Sequence, residues 1–159
     1  MGRPADHTRA DGRGHCRGQL RGVRRTAAVI GLDTNVLIRY FTQDHPEQSA
    51  RANQVIEGLS ETSPGYVTVL ALAEVHWVLR RGYRQEVETV AEILLGLLDA
   101  TEIVVERAEA VRHALGRALD RGADFPDALI EQLGREAGCD VTVTFDDRAA
   151  RRCGMRLLS

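Results

Sequence analysis

VIGLDTN, residues 29–35, is an apolar run that stops on an aspartate, Asp33. The pattern returns in residues 141–147, VTVTFDD, where the apolar residues lead to Asp146. Both segments have the composition of short buried strands that end in a carboxylate. In an open parallel sheet the carboxyl ends of the strands lie at one edge, where ligands bind. We therefore predict that the two aspartates meet at this edge, where a divalent metal offsets the cost of gathering their charges.

Strand-like and helix-like segments alternate along the rest of the chain. Apolar runs predict strands at residues 29–33, 66–69, 102–105, 141–144 and 155–158. Helical spacing, with a proline in one first turn and glycines as stops, predicts helices at residues 35–41, 46–58, 70–81, 84–98, 107–121 and 124–136. This order predicts an α/β fold: a three-layer α/β/α sandwich with a mostly parallel central sheet of four to five strands.

The composition indicates one globular domain. The chain has 159 residues, of which 43% are hydrophobic, and this is enough for a single core. Its apolar stretches are far shorter than the roughly 20 residues that span a bilayer. No apolar segment follows the N-terminal arginines, so we expect no secretory signal, no membrane association and a cytoplasmic location. The three cysteines form no C-x-x-C pair, which disfavours a disulfide framework or a zinc site.

The first 28 residues differ from the rest of the chain. They hold seven arginines against two aspartates, whereas residues 29–159 hold 14 arginines against 21 acids. Their Gly and Arg content and their lack of periodicity predict a disordered leader, so residues 29–159 form the predicted domain. Two interpretations stay open: the leader is a basic arm that contacts nucleic acid, or translation begins downstream, for example at Val29. Composition favours the second interpretation.

Four acidic residues stand where the predicted elements begin or end, namely Asp33, Glu74, Asp127 and Asp146. Each of them also has a purely structural explanation. Asp33 is suited to cap the next helix, and Asp146 to nucleate a turn. Asp124 and Asp127 together resemble a capping box, and Glu74 is compatible with an ordinary surface position. Their conjunction, rather than any one of them, indicates a functional site.

Glu74 carries the strongest individual signal. It lies in residues 67–79, an otherwise almost wholly apolar stretch in which an unpaired carboxylate is costly. We therefore predict that Glu74 faces a functional site. Trp77 follows three residues later on what reads as a helical stripe, and we expect its ring in the core rather than stacked on a nucleobase.

Four segments together resemble a PIN domain of the VapC toxin family. They are residues 29–37, residues 66–68 followed by Glu74, residues 122–130 and residues 144–146. The resemblance extends over nearly all of residues 29–159. One departure is Pro126, where relatives often have a small residue, but a proline this early in a helix is tolerated. The basic leader has no counterpart in the family pattern.

The resemblance implies a Mg²⁺- or Mn²⁺-dependent ribonuclease that forms the toxin half of a toxin–antitoxin pair. It also implies a homodimer and a cognate VapB-like antitoxin whose C-terminal segment covers the acidic groove. Carried over by position, the catalytic and metal-binding acids are Asp33, Glu74, Asp127 and Asp146, with Asp124 as an auxiliary metal ligand and Asn35 and Thr144 as polar residues that support the ligands.

The chemistry of this acidic set agrees with the resemblance. Four carboxylates carry four negative charges, which two divalent cations would neutralise, and hard oxygen ligands select Mg²⁺ or Mn²⁺ over zinc. One or two such metals activate water for in-line attack at phosphorus, so no side-chain nucleophile is needed. Arginines are candidates for holding RNA phosphates: Arg39, Arg81 and Arg148 first, and in addition Arg80, Arg84, Arg151 and Arg152.

Other classes with a similar first strand are disfavoured. A haloacid dehalogenase-type phosphatase needs a second aspartate where this chain has Asn35, and it normally needs a lysine, as does a phosphate-receiver domain. The chain contains no lysine, which also excludes a P-loop nucleotide hydrolase. The remaining alternative is a catalytically inactive PIN-like module that binds RNA or a protein without cutting.

Overall fold

The computed structural model describes residues 28–159. The two interpretations of the basic leader concern residues 1–28, of which residues 1–27 lie outside this range. Within it, the chain forms five strands and seven α-helices. No helix of this part of the chain has the length and apolar character needed to cross a membrane.

The strands are Ile30–Gly31 (β1), Gly65–Val67 (β2), Ile103–Val105 (β3), Val143–Thr144 (β4) and Arg156–Leu157 (β5). They form two parallel sheets. The first has the order β1–β2–β3, and the second joins β4 to β5. The predicted central sheet of four to five strands is thus divided into three strands and two. Each of β4 and β5 is only two residues long, and their backbone pairing is with one another.

The helices are Thr34–Thr42 (α1), Pro46–Glu57 (α2), Val69–Trp77 (α3), Val87–Asp99 (α4), Ala108–Arg121 (α5), Phe125–Glu136 (α6) and Asp147–Cys153 (α7). Six of them fall where helices are predicted, which together with the parallel strands confirms the α/β fold class. Helix α7 is not predicted. It forms because Asp146 caps its start and Gly154, with φ of 77°, ends it in the left-handed region.

The segment between α3 and α4 departs from the prediction. After Trp77 the helix widens into a π-helical turn, Val78–Gly82, in which the N–H of Tyr83 donates to the carbonyl of Val78. Helix α4 begins at Val87 rather than near residue 84, because Arg84 has a φ of 55° and a left-handed residue cannot continue a right-handed helix. π-Helical turns are frequent at functional sites.

The core holds α3 in place between other helices. Leu72 of α3 and Leu79 of the π-helical turn are fully buried, as are Leu37 of α1 and Phe125 of α6. Helix α3 contacts both α1 and α6, and the ring of His76 packs against Phe125 with centroids 5.1 Å apart. Burial of each such side chain contributes about 1.5–3 kcal/mol. This packing therefore fixes α1, which Asp33 caps, and α6, which contains Asp127, in position relative to α3.

A buried ion pair joins the last three helices. Glu131 on α6 is 8% exposed and accepts hydrogen bonds from Arg117 of α5 and Arg135 of its own helix. Arg117 also donates to the carbonyl of Cys153, at the end of α7. Since a buried carboxylate without these partners would be costly, the pair holds α7 in a defined position against α5 and α6.

A second polar cluster connects the α1–α2 turn to the π-helical turn. Asp44 accepts two hydrogen bonds of 2.8 Å from Arg39, one of 2.9 Å from Thr42 and one of 2.5 Å from Tyr83. The hydrogen bond from the Tyr83 hydroxyl is the largest cause that lowers the pKa of Asp44, and those from Thr42 and Arg39 add to it. Together they lower the pKa from 3.8 to about 2.

This cluster predicts an acid-dependent loss of stability. A carboxyl whose pKa is lower in the folded protein stabilises the fold above its unfolded pKa, and this stabilisation is lost as the pH falls through the folded pKa. Between pH 3.8 and about pH 2, the free energy of unfolding should therefore fall more steeply in the unsubstituted protein than in Asp44→Asn. Urea unfolding at a series of pH values measures this difference. Parallel curves for the two proteins would contradict it.

Candidate active site

The first acid of the predicted set is a helix cap. Asp33 follows β1 with extended backbone, and its Oδ2 accepts hydrogen bonds of 3.2 Å from both the backbone N–H and the side-chain amide of Asn35. The capping explanation for Asp33 is therefore confirmed, and it does not exclude a second role. Both bonds go to a single oxygen, so capping does not engage the other oxygen, Oδ1.

Thr34 links Asp33 to Glu74. Its side chain is buried, and its hydroxyl donates a hydrogen bond of 2.6 Å to Oε2 of Glu74 across the contact between α1 and α3. Glu74 itself is exposed, so the apolar stretch around it does not enclose the carboxylate. We call Asp33 and Glu74 the α1–α3 pair. A role for Thr34 was not predicted from the sequence. The signal that indicates one is its position directly after the strand-end aspartate.

Three acids gather where α6 and α7 begin. Burial is the largest cause that raises the pKa of Asp127, followed by the negative charges of Asp124 and Asp146, while Arg148 partly offsets them. We call Asp124, Asp127 and Asp146 the α6–α7 acids. A raised carboxyl pKa means that negative charge is unfavourable at this place, and a cation bound there would relieve this cost.

The α6–α7 acids are not explained by helix capping alone. Asp124 occupies the capping position of α6, yet its side chain forms no capping hydrogen bond, so the capping-box interpretation of Asp124 and Asp127 is wrong. Asp146 does cap α7: its Oδ1 accepts hydrogen bonds of 2.7 Å and 3.1 Å from the N–H groups of Arg148 and Ala149. The hydroxyl of Thr144 accepts a hydrogen bond of 3.0 Å from the N–H of Asp146. Thr144 therefore supports the backbone of Asp146 and not its carboxylate.

A cleft of about 470 Å³ opens beside these acids. Asp124 and Asp127 line it together with three cationic residues, Arg80, Arg81 and Arg148. Arg80 and Arg81 come from the π-helical turn, which places them against the start of α6. The cleft therefore presents carboxylates and guanidinium groups side by side, an arrangement that suits a phosphate held next to a cation.

Trp77 also lines this cleft, and its expected place in the core is wrong. Its side chain is 61% exposed. The buried face of α3 contains Ala71, Leu72, Val75 and His76, whereas residues 70, 74 and 77 are exposed. Because residues 67–79 are almost wholly apolar, helical spacing does not separate the buried face from the exposed one in the sequence. The packing of α3 places Trp77 on the same exposed face as Glu74, outside the core.

The arginines predicted to bind phosphates differ in the hydrogen bonds and ion pairs that they form within the protein. Arg39 is committed to Asp44 and to Gln48, and it lines a separate depression. Arg81 is exposed and has no hydrogen bond or ion pair with other described residues, so its guanidinium group can bind a phosphate. Arg80 donates to the carbonyl of Gln85. Arg84 does not line the cleft.

Four arginines form a basic patch next to the cleft. Arg121, Arg148, Arg151 and Arg152 line a shallow depression, and Arg148 belongs to both the patch and the cleft. Arg148 donates a bond of 3.2 Å to the carbonyl of Gly122, and Arg152 donates to the carbonyl of Arg121. Both side chains thus gather at the carbonyl end of α5, where the helix dipole stabilises positive charge. Arg151 pairs with Asp147.

A protein-family comparison agrees with this arrangement. The model of the PIN domain matches residues 30–155, which include all of the acids named above. The chain belongs to the PIN domain family. No curated protein matches the chain at a significant level. PIN domains are typically metal-dependent nucleases that bind divalent metal ions, so the fold supports a hydrolase.

The side chains of this PIN domain suit a divalent metal in their chemistry but do not form a ready-made cage. Over residues 28–159, no three acidic, histidine or cysteine side chains lie close enough together to hold an ion. The acids instead form the α1–α3 pair and the α6–α7 acids. Mg²⁺ is compatible with this, because it usually keeps several waters and binds one or two carboxylates together with phosphate oxygens of the substrate.

Proposed function

We propose that the protein is a Mg²⁺- or Mn²⁺-dependent endoribonuclease that hydrolyses phosphodiester bonds of RNA. One observation carries this proposal: the carboxylates of Asp124 and Asp127 are not used to cap α6 and line a cleft with three arginines. Acids alone would repel RNA, and arginines alone would only bind it. Side by side, they suit a scissile phosphate that is held by cations and attacked next to carboxylates.

The residues have distinct roles in this proposal. The metal ligands are Asp33, Glu74, Asp127 and Asp146, with Asp124 as an auxiliary ligand. These residues would hold a divalent cation, which would supply Lewis-acid activation of water and stabilise negative charge on the phosphate. Thr34 orients the carboxylate of Glu74 through its 2.6 Å hydrogen bond, and Asn35 orients that of Asp33. Such supporting bonds typically change metal affinity or activity by about 10- to 100-fold.

The basic patch extends the RNA site beyond the cleft. Arg148 connects Arg80 and Arg81 of the cleft with Arg121, Arg151 and Arg152 of the patch. A phosphate backbone is a row of negative charges, and binding it to arginines releases counterions, so affinity falls with salt. The patch therefore gives the strand a path away from the acids. Arg39, which is held by Asp44, contributes less to this path.

We further propose that the enzyme is the toxin of a VapBC-type toxin–antitoxin system and forms a homodimer. The sequence resemblance of residues 29–37, residues 66–68 with Glu74, residues 122–130 and residues 144–146 to VapC toxins supports this assignment. The partner is a VapB-like antitoxin whose C-terminal segment covers the acidic groove. A small DNA-binding protein encoded next to this gene, which abolishes RNA cleavage when it is co-purified, is the expected finding. An adjacent protein without effect on cleavage would count against the toxin role.

The second candidate function is a PIN domain that binds RNA or a protein without cutting it. The observation that favours it is that the described acids do not include three side chains close enough to hold an ion. Both functions use the same cleft and the same arginines, so RNA binding alone does not distinguish them. Only cleavage does.

RNA cleavage in the presence of metal tests the proposed function. The full-length protein, purified free of any inhibitor, is incubated with end-labelled RNA in EDTA, in Mg²⁺ and in Mn²⁺. We expect internal cleavage with either metal and none in EDTA, because the acids need a cation before they can act on a phosphate. Cleavage products are resolved on denaturing gels. Intact RNA in all three conditions, with RNA still bound, would favour the non-cleaving module.

A further inference from the structure

Trp77 is a large aromatic side chain with no place in the core. Its 61% exposure is unusual for the residue type that carries the largest apolar surface. It lies on α3 and lines the cleft that also contains Asp124 and Asp127. Its exposed ring is thus next to the place where a substrate would bind. An indole kept in water at such a place suggests a ligand with a flat apolar face.

The charges around Trp77 indicate which kind of ligand this is. Arg80 and Arg81 follow it in the chain, and Arg148 faces the same cleft from α7, so three cations and one aromatic ring line one depression. Positive groups beside an exposed aromatic ring are the combination that binds single-stranded nucleic acid, since the cations hold phosphates while bases stack on the ring. A purely apolar peptide would offer no negative group to the three guanidinium groups.

We propose that Trp77 stacks against a nucleobase of single-stranded RNA. This contact thereby sets which nucleotide along the strand lies next to Asp127. This inference rests on the proposed function only in that it names RNA as the occupant of the cleft. Stacking accepts every base, because each has a π-face, and it favours those that stack most strongly. The position of Trp77 then determines which phosphate of the strand reaches the acids.

The chain itself provides a direct probe of this contact. Trp77 is the one tryptophan in the full sequence, so all tryptophan fluorescence of the protein reports on this ring. The full-length protein is titrated with a 12-nucleotide single-stranded RNA in EDTA, which prevents cleavage during the measurement. We expect saturable quenching of the emission. Fluorescence anisotropy of the same RNA, labelled at its 5′ end, measures its Kd independently.

Three variants complete the test. Trp77→Ala should bind the labelled RNA about 5- to 150-fold more weakly, the loss expected for one base–aromatic stack, and Trp77→Phe should retain most of the affinity. Leu70→Ala is the matched control, because Leu70 is on the same helix and 76% exposed but does not line the cleft. Its Kd should be unchanged. All these side chains are exposed, so the fold should persist, which circular dichroism verifies.

The outcomes separate this inference from the proposed function. If the protein cleaves RNA with metal, but Trp77→Ala binds RNA as tightly as the unsubstituted protein, stacking is overturned and the nuclease stands. If RNA neither binds nor is cut, both fail. If the emission depends on protein concentration in the absence of RNA and RNA leaves it unchanged, Trp77 lies at an interface between two copies of the chain, and stacking is again overturned.

Discussion

Asp33→Asn is expected to lower RNA cleavage by more than about 100-fold while leaving the metal-free protein at least as stable as before. The physical reason is that Asp33 has two separable functions. Its carboxylate supplies a charge to the proposed metal site, and its Oδ2 caps α1 through Asn35. Asparagine caps a helix about as well as aspartate but has no charge. The measurements are kcat/KM for a labelled RNA and the urea midpoint in EDTA.

Asp33→Ala is the matched comparison. Alanine removes both the charge and the cap, so its cleavage should be as low as that of Asp33→Asn, and it should in addition lose about 1 kcal/mol of stability. The difference between the two variants isolates the cap. A large loss of stability in Asp33→Asn would mean that the carboxylate is structural, and cleavage retained by that variant would remove Asp33 from the metal site.

Asp127→Asn is expected to abolish cleavage, to raise Tm in EDTA and to remove the stabilisation that Mn²⁺ gives the unsubstituted protein. The pKa of Asp127 is raised, first by burial and then by Asp124 and Asp146, so its charge opposes folding, and a bound cation would relieve this cost. A ligand at about 100 times its Kd stabilises the folded state by about 2.7 kcal/mol, which shifts Tm by several degrees. Thermal unfolding at neutral pH, in EDTA and with excess Mn²⁺, measures both effects.

The rise in Tm that we expect for Asp127→Asn in EDTA depends on pH with a definite sign. A carboxyl with a raised pKa destabilises the fold when it is ionised, and the destabilisation disappears once the pH falls below the pKa of the unfolded chain. In EDTA, the Tm difference between Asp127→Asn and the unsubstituted protein should therefore be largest at neutral pH and vanish below about pH 4.

Asp120→Asn is the control for Asp127→Asn, because Asp120 is an exposed acid on α5 that does not line the cleft. It should retain both cleavage and the rise in Tm with Mn²⁺. A rise of equal size in Asp127→Asn and in the unsubstituted protein would show that Asp127 does not bind the metal.

Local sequence patterns were sufficient to predict most of the helices and strands. The helices that begin at Pro46 and end before Gly122 lie where capping and stop signals predict them, because these signals act within one turn. Helix α7 was missed since its seven residues are too few to show a periodic apolar pattern, although Asp146 and Gly154 bracket it. The π-helical turn after Trp77 was missed because a change in helix type leaves no spacing signal over five residues.

The sequence by itself determined the α/β class, the order of the elements and the acids at their ends, because each depends on residues that are close along the chain. The tertiary structure alone decided how those acids are used. The bond from Thr34 to Glu74 joins positions 40 residues apart, and the pKa of Asp127 depends on Asp146 from another helix. The exposure of Trp77 depends on which face of α3 the neighbouring helices cover. Such contacts follow from packing, which no local pattern records.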